Sequence, residues 1–253
     1  MTAARRAALA RLVATRGFVR VTDAAAELGV SDVTVRGDLS ALERDGTVIR
    51  VHGGAMPVST LREPTLEAAR DRDAAAKRAI GYAAAELVVS GESLYLDAGS
   101  TALAMAEALV QRTDVTDLVI VTSGLTIALA LEPAVPRHTV IVTGGTLRPL
   151  QHSLVGPYAA PMLDTLRLDS AYIGCNGVDA AAGATNRNLP DAEIKRRAMG
   201  ISSRSILLAD ASKIGVTDLA VIAPLTDFDT LVTAGAVSPG TLEALPLDVR
   251  LAA

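Results

Sequence analysis

The chain carries one cysteine, Cys175, so an internal disulfide is excluded and a reducing compartment is the natural setting. No apolar run reaches the ~18 residues needed to span a bilayer, and no charged-then-apolar leader opens the chain. A cytoplasmic protein without a membrane partner is therefore expected. The three histidines, His52, His138 and His152, have neither the spacing nor the neighbours of a metal site. A Walker lysine and a six-residue glycine-spaced loop are both missing, which removes the common nucleotide fingerprints. Internal repeats and low-complexity stretches are missing too. No cofactor is implied.

What remains is a composition for packing. Half of the 253 residues are hydrophobic and 21% are charged, which is enough apolar content for a large core and too much for disorder. The net charge of −4 divides unevenly, with +2 on residues 1–56 and −6 on the rest. A mildly basic head on an acidic body fits a chain in which only the head meets phosphates.

The head has a readable pattern. Ala3 to about Thr15 is helical, with Ala8, Leu9, Leu12 and Val13 as a buried stripe, and Gly17 ends it. Thr22 or Asp23 can cap a short helix, Ala24 to Leu28, that stops at Gly29. Ser31 caps a third helix running to about Asp45, with Val35, Leu39 and Leu42 at core-facing spacing. Thr47 to Val51 is β-branched and precedes Gly53-Gly54, which predicts a wing hairpin. Three helices and a wing make a winged helix-turn-helix over residues 1–56. In such a module the second helix of the motif enters the major groove of duplex DNA. With Val35, Leu39 and Leu42 inward, Asp32, Thr34, Arg36, Gly37 and Ser40 lie on its outer side. Arg36 can fork onto guanine. Ser31, Thr34 and Arg50 suit phosphates, and His52 in the wing can reach the backbone or minor groove.

Residues 57–73 mix Pro, Ser, Thr and charges without periodicity and read as a linker. From Ala74 onward, helical patterns (Ala74 to Val89, Thr101 to Val110, Leu125 to Leu131) alternate with short apolar strands. The strands are Leu94 to Leu96, Leu118 to Val121, Thr139 to Val142, Ser170 to Ile173, Ser205 to Leu208 and Leu219 to Ile222. Residues 74–253 therefore read as an α/β domain with a mostly parallel sheet. Three turns follow successive strands: Asp97-Ala98-Gly99-Ser100-Thr101, Thr122-Ser123-Gly124 and Thr143-Gly144-Gly145-Thr146-Leu147-Arg148. Each offers backbone N–H groups, and the last adds a guanidinium. Taken singly, each is only a turn. At one edge of a parallel sheet they converge on a small phosphorylated ligand.

The motif Val30-Ser31, Thr34-Val35-Arg36-Gly37-Asp38-Leu39, then Arg50-Val51-His52-Gly53-Gly54-Ala55, resembles the N-terminal domain of the DeoR/GlpR family of bacterial transcriptional regulators. The family pattern has a second Arg where this chain has Gly37. That change removes a contact to DNA and costs ~1 kcal/mol of helix propensity. Downstream, Gly156-Pro157, Asp169, Gly174-Cys175-Asn176-Gly177-Val178-Asp179, Glu193 to Met199 and Asp210-Ala211-Ser212-Lys213 stand in family order. The resemblance implies an effector domain similar to ribose-5-phosphate isomerase in fold, with Gly99-Ser100-Thr101 at the phosphate. It also implies that Glu193 and Lys213 point into the same cleft and that Asp97 and Asn176 hold sugar hydroxyls.

An aldose–ketose isomerase needs a carboxylate base and enediolate stabilisers. The isomerase has an Asp-Gly-Ala-Asp-Glu run where this chain reads Gly174-Cys175-Asn176-Gly177, and Gly183 to Asn186 replace its lysine-glycine segment. The expectation is a binding shell without turnover. The chain would regulate a carbohydrate operon, usually as a repressor, on an operator bound by a dimer or tetramer. The alternatives are a DNA-tethered isomerase, or a sensor of an unphosphorylated sugar or polyol.

Overall fold

The structure, a computed structural model, describes residues 2–16, 19–45, 47–51, 53–57 and 63–252. They form two compact units, Met1–Glu63 and Pro64–Ala253.

In the first unit, α1 (Thr2–Arg16), α2 (Val21–Leu28) and α3 (Asp32–Arg44) pack around Leu9, Val13, Ala24, Val35, Leu39 and Leu42. The Ser31 cap is present, accepting from the Thr34 N–H at 3.2 Å. The α2 start is earlier than expected. It begins at Val21 behind Arg20, which supplies no side-chain cap, because Val21 is wanted in the core. The wing is β2 (Val48–Val51) against β3 (Gly54–Pro57), and β1 (Val19–Arg20) adds a third strand that hydrophobic patterning over two residues cannot signal. Asp38, 3% exposed inside this unit, is held by Arg5 Nε at 2.6 Å and Arg6 Nε at 2.9 Å, which ties α1 to α3. The Arg5 hydrogen bond holds the Asp38 carboxyl below the usual carboxylate range. His52 lies outside the described residues, as do residues 58–62 of the expected linker.

The second unit opens with α4 (Leu66–Asp71), a helix inside the stretch that reads as linker, capped by Thr65. Next come α5 (Ala74–Ala85), β4 (Ser93–Leu96), α6 (Ser100–Gln111), β5 (Val119–Thr122), α7 (Leu125–Leu131) and β6 (Thr139–Val142). A hairpin of β7 (Thr146–Arg148) and β8 (Ser153–Val155) follows, then α8 (Ala159–Asp164) and β9 (Leu168–Gly174). The chain continues through β10 (Gly177–Asp179), β11 (Gly183–Asn186), α9 (Leu189–Gly200), β12 (Ser202–Leu208) and β13 (Ala220–Ala223). It closes with β14 (Thr230–Thr233), α10 (Pro239–Glu243) and β15 (Asp248–Leu251).

Seven strands of the described residues form one sheet in the order β15-β14-β12-β9-β4-β5-β6, with all six neighbouring pairs parallel. Its two faces bury separate cores, one around Ile80, Leu94, Met105 and Ile120, the other around Tyr95, Val121, Ile173 and Leu207. This two-sided burial explains why the strands read as unbroken apolar runs. Gly81 is demanded by α5 meeting α6, since a Cβ there would lie 2.5 Å from the Ala104 carbonyl carbon. The Leu219 to Ile222 segment belongs elsewhere: as β13 it pairs antiparallel with β11 in a small β10-β11-β13 sheet.

Candidate ligand site and candidate nucleic-acid interface

The carboxyl ends of β12, β9 and β4, three adjacent strands, bring Asp210, the Gly174-Cys175-Asn176 turn and Asp97 to one edge. Asp97 is 1% exposed and accepts from the Gly174 N–H at 2.9 Å and from the Lys195 ammonium. Its other oxygen, Oδ1, is buried without a partner among the described residues. Burial lifts the Asp97 carboxyl above the ordinary range, with Lys195 pulling the other way. Lys195 is also buried; desolvation would strip its proton, but Asp191 and Asp97 outweigh it and raise its pKa.

Asp191 extends the network, meeting Lys195 at 3.4 Å, Asn186 Nδ2 at 3.0 Å and Arg148 at 2.7 Å. A buried carboxylate left with an open lone pair is costly unless a donor arrives. Asp97 Oδ1 is thus an open acceptor at this edge, with no donor among the described residues.

One turn away, α6 starts behind Gly99, whose φ of +108° admits only glycine without strain, and no side chain caps the helix. The N–H groups that open a 12-residue helix lack intrahelical acceptors, and the Ser100 and Thr101 hydroxyls are unbonded among the described residues. An anion is favoured there. Lys213, half-buried beyond Asp210, has no hydrogen-bond or ion-pair acceptor for its ammonium among the described residues. It sits in the 3-10 turn that follows β12, where its backbone N–H donates to the Asp210 carbonyl at 3.0 Å. Lys77 itself is 5% exposed, donates to the Ala69 and Arg72 carbonyls, and is driven below the usual lysine pKa by burial. Asn176 spends Oδ1 on the Arg187 N–H at 2.8 Å. Burial pushes the Cys175 thiol up to about 12, which makes it packing rather than a nucleophile.

Several expectations are corrected. Glu193 points to solvent and pairs with Arg197 at 3.3 Å, because Asp191, Ile194, Lys195 and Ala198 form the buried stripe of α9 and Glu193 lies off it. Asp191 and Lys195 are therefore the carboxylate and amine that sequence reading missed, and the i, i+4 spacing behind the Asn188 cap was the available signal. Thr122 and Ser123 are internal: Thr122 accepts from the Gly124 N–H at 3.0 Å, and Ser123 bonds the buried Tyr95 hydroxyl at 2.9 Å. Gly144 and Gly145 lead into β7 rather than a helix, so that turn has no helix-end field. Arg148 is engaged by Asp191 and by Ser153 Oγ at 2.9 Å. The open acceptor and the uncapped helix start thus gather at the carboxyl ends of β12, β9 and β4 rather than on the β4-β5-β6 side.

The loop between β7 and β8 holds two partners at once. Toward the sheet edge, Arg148 and Ser153 bond as described, and the Leu154 N–H donates to the Ser123 carbonyl at 2.8 Å. Toward α4, the Leu66 N–H donates to the Leu150 carbonyl at 2.7 Å, and Gln151 Nε2 donates to the Pro64 carbonyl at 2.6 Å. His152 bonds Thr126 at 3.0 Å through Nδ1.

On α3, Arg36 is exposed and has no side-chain partner among the described residues. Ser31 caps the helix, and its hydroxyl and that of Thr34 bond each other at 2.9 Å, with Asp32 in the first turn. Ser40 Oγ donates to the Arg36 carbonyl at 2.9 Å and accepts from Arg50 at 3.0 Å, so these two expected DNA contacts are paired with each other. Gly37 has open space around it. Val33, opposite Val35 and Leu39 on the helical wheel, is 77% exposed.

Comparison with known proteins matches residues 5–60 to a DeoR-like helix-turn-helix domain and residues 72–234 to a DeoR C terminal sensor domain. A putative aga operon transcriptional repressor of Escherichia coli O157:H7 is 31% identical over 96% of this chain and 90% of its own. GlpR of Haloferax volcanii is 33% identical over 86% and 84%, and a lactose phosphotransferase system repressor of Staphylococcus aureus is 32% identical over 88% of each. Among solved structures, a D-ribose-5-phosphate isomerase in complex with phospho-erythronic acid aligns at TM-score 0.41 and 17% identity over 55% of this chain and 52% of that one.

Proposed function

The chain belongs to the DeoR family of transcriptional regulators, and from that premise we propose that it represses a carbohydrate operon until a phosphorylated sugar fills the site at the carboxyl edge of β12, β9 and β4. The relatives named above are regulators and repressors rather than enzymes. The observation that carries the ligand class is a pairing of opposite needs on one turn. Asp97 Oδ1 offers a buried acceptor with no partner among the described residues, and the uncapped start of α6 offers donors with a positive field. A sugar hydroxyl satisfies the first and a phosphate the second. Lys213 adds charge for the phosphate, Asn176 Nδ2 donates to a second hydroxyl, and Glu193 has no part.

The ligand must bind the DNA-competent and DNA-incompetent arrangements unequally, or it shifts nothing. The β7–β8 loop is the proposed route. A ligand that draws Arg148 from Asp191 alters the loop that holds Pro64 and Leu66, where the chain enters the second unit. The protein acts as a dimer or tetramer on repeated half-sites, because one small head buries too little DNA for specificity. No helix among the described residues is long and apolar enough to cross a membrane, and the cytoplasm is the proposed compartment.

The test is thermal unfolding of the full chain against sugar phosphates and their unphosphorylated counterparts. A ligand at ~100 times its Kd adds ~2.7 kcal/mol, or roughly 5–10 °C in a domain of this size. Shifts from phosphorylated sugars alone support the site. Shifts only from free sugars overturn the phosphate assignment.

A further inference from the structure

We propose that Val33 and Gly37 form an apolar shelf on the recognition helix that reads the 5-methyl group of a thymine in the operator. The inference takes DNA binding by this unit as given and adds the base feature it reads. On α3, Val33, Arg36, Gly37 and Ser40 stand at i, i+3, i+4 and i+7, one continuous face opposite Val35, Leu39 and Leu42.

The C-terminal part of this face is already occupied. Ser40 is bonded to the Arg36 carbonyl and to Arg50, and the Arg44 Nε lies 3.3 Å from the Ser40 carbonyl. What remains open is the N-terminal half, the part of a recognition helix that meets base edges.

There the isopropyl group of Val33 is 77% exposed, so it contributes almost nothing to packing within its own unit. Valine is also a poorer helix former than alanine, and glycine is poorer still. Both residues therefore tax the helix without a structural return. Gly37 has no heavy atom within 4 Å of where a Cβ would stand, so nothing in the fold requires glycine there. Its effect is to leave the i+4 neighbour of Val33 bare.

A long side chain at position 37 would lie beside Val33 and cover it. With glycine, a flat apolar surface sits next to the Arg36 guanidinium, which has no partner among the described residues. In the major groove the one apolar group on a base edge is the thymine methyl, and guanine presents the acceptors an arginine forks onto. The face thus matches a thymine next to a guanine.

The experiment uses the full chain. Sites are selected from a random duplex pool, and each thymine of the selected half-site is then replaced singly by deoxyuridine, which deletes only the methyl. One such replacement is expected to weaken binding by the wild type about four-fold, the value of one buried carbon. Val33→Ala, a change at an exposed position, should bind thymine and uracil forms of that site equally. Gly37→Arg should narrow the ratio by covering Val33. If no single deoxyuridine weakens the wild type, or if Val33→Ala keeps the wild-type ratio, the shelf is overturned while selection of a site leaves DNA binding intact.

Discussion

Replacing Lys195 by methionine removes the ammonium that Asp97 and Asp191 share while keeping most of the side-chain volume. The two carboxylates are not left equal. Asp191 keeps Arg148 at 2.7 Å and Asn186 Nδ2 at 3.0 Å, whereas Asp97 keeps only the Gly174 N–H at 2.9 Å. Asp97 is 1% exposed, so its charge has no route to solvent. Breaking one side of a buried ion pair costs about 3–5 kcal/mol. In a domain of this size that lowers the midpoint of thermal unfolding by roughly 6–20 °C.

The assay is thermal unfolding of Lys195→Met, Asp97→Asn and the double variant without ligand. The double variant should lose less than Lys195→Met alone, because Asp97→Asn removes the stranded charge. The sign with pH is set by burial, which raises the Asp97 carboxyl in the folded state. A raised folded pKa gives stability that is present at low pH and lost as pH rises through it, so the defect of Lys195→Met should shrink on acidification. Additive losses, or a single variant within ~1 kcal/mol of wild type, would refute the reasoning.

Asp38→Ala should destabilise the first unit at neutral pH. Because Arg5 and Arg6 depress the folded Asp38 pKa, that contribution is present above the unfolded carboxylate value and lost as pH falls through the folded one. Wild type and variant melts should converge in acid, and a constant gap would contradict the pairing. Gly37→Arg should gain up to ~1 kcal/mol of helix stability and steepen the salt dependence of DNA binding by about one phosphate, since the site is open. An unchanged slope in a salt titration would show that the new arginine touches no phosphate. Glu193→Gln should leave ligand-induced stabilisation unchanged, whereas Asp97→Asn should abolish most of it; the reverse order in a melting panel would restore Glu193 to the site.

Much of this was legible because local rules and tertiary demands agree. The Ser31 cap, the Val35, Leu39 and Leu42 stripe and the apolar runs Leu94 to Leu96 and Thr139 to Val142 each specify an element that the fold then uses. The misses are places where the deciding term is not local. β1 is two residues long and exists only because β3 lies beside it. The α4 helix sits in a stretch of weak periodicity and is fixed by Thr65 and by the β7–β8 loop.

On α9 the family resemblance implies Glu193 as the inward carboxylate, whereas the structure turns Asp191 inward. Only the burial of Ile194 and Ala198 decides which side of the helix turns inward. The Thr122 and Ser123 hydroxyls looked available because a strand-end turn offers donors. The Tyr95 hydroxyl, 28 positions away in sequence, claims one of them.

The most direct test of the central claim is to measure DNA affinity of the full chain with and without the sugar phosphate that stabilises it most, on a duplex selected from a random pool. DNA affinity should fall by about 5–150-fold, with DNA lowering ligand affinity by the same factor and Asp97→Asn abolishing both effects. A phosphorylated sugar that binds tightly at this site and leaves DNA affinity unchanged would contradict it.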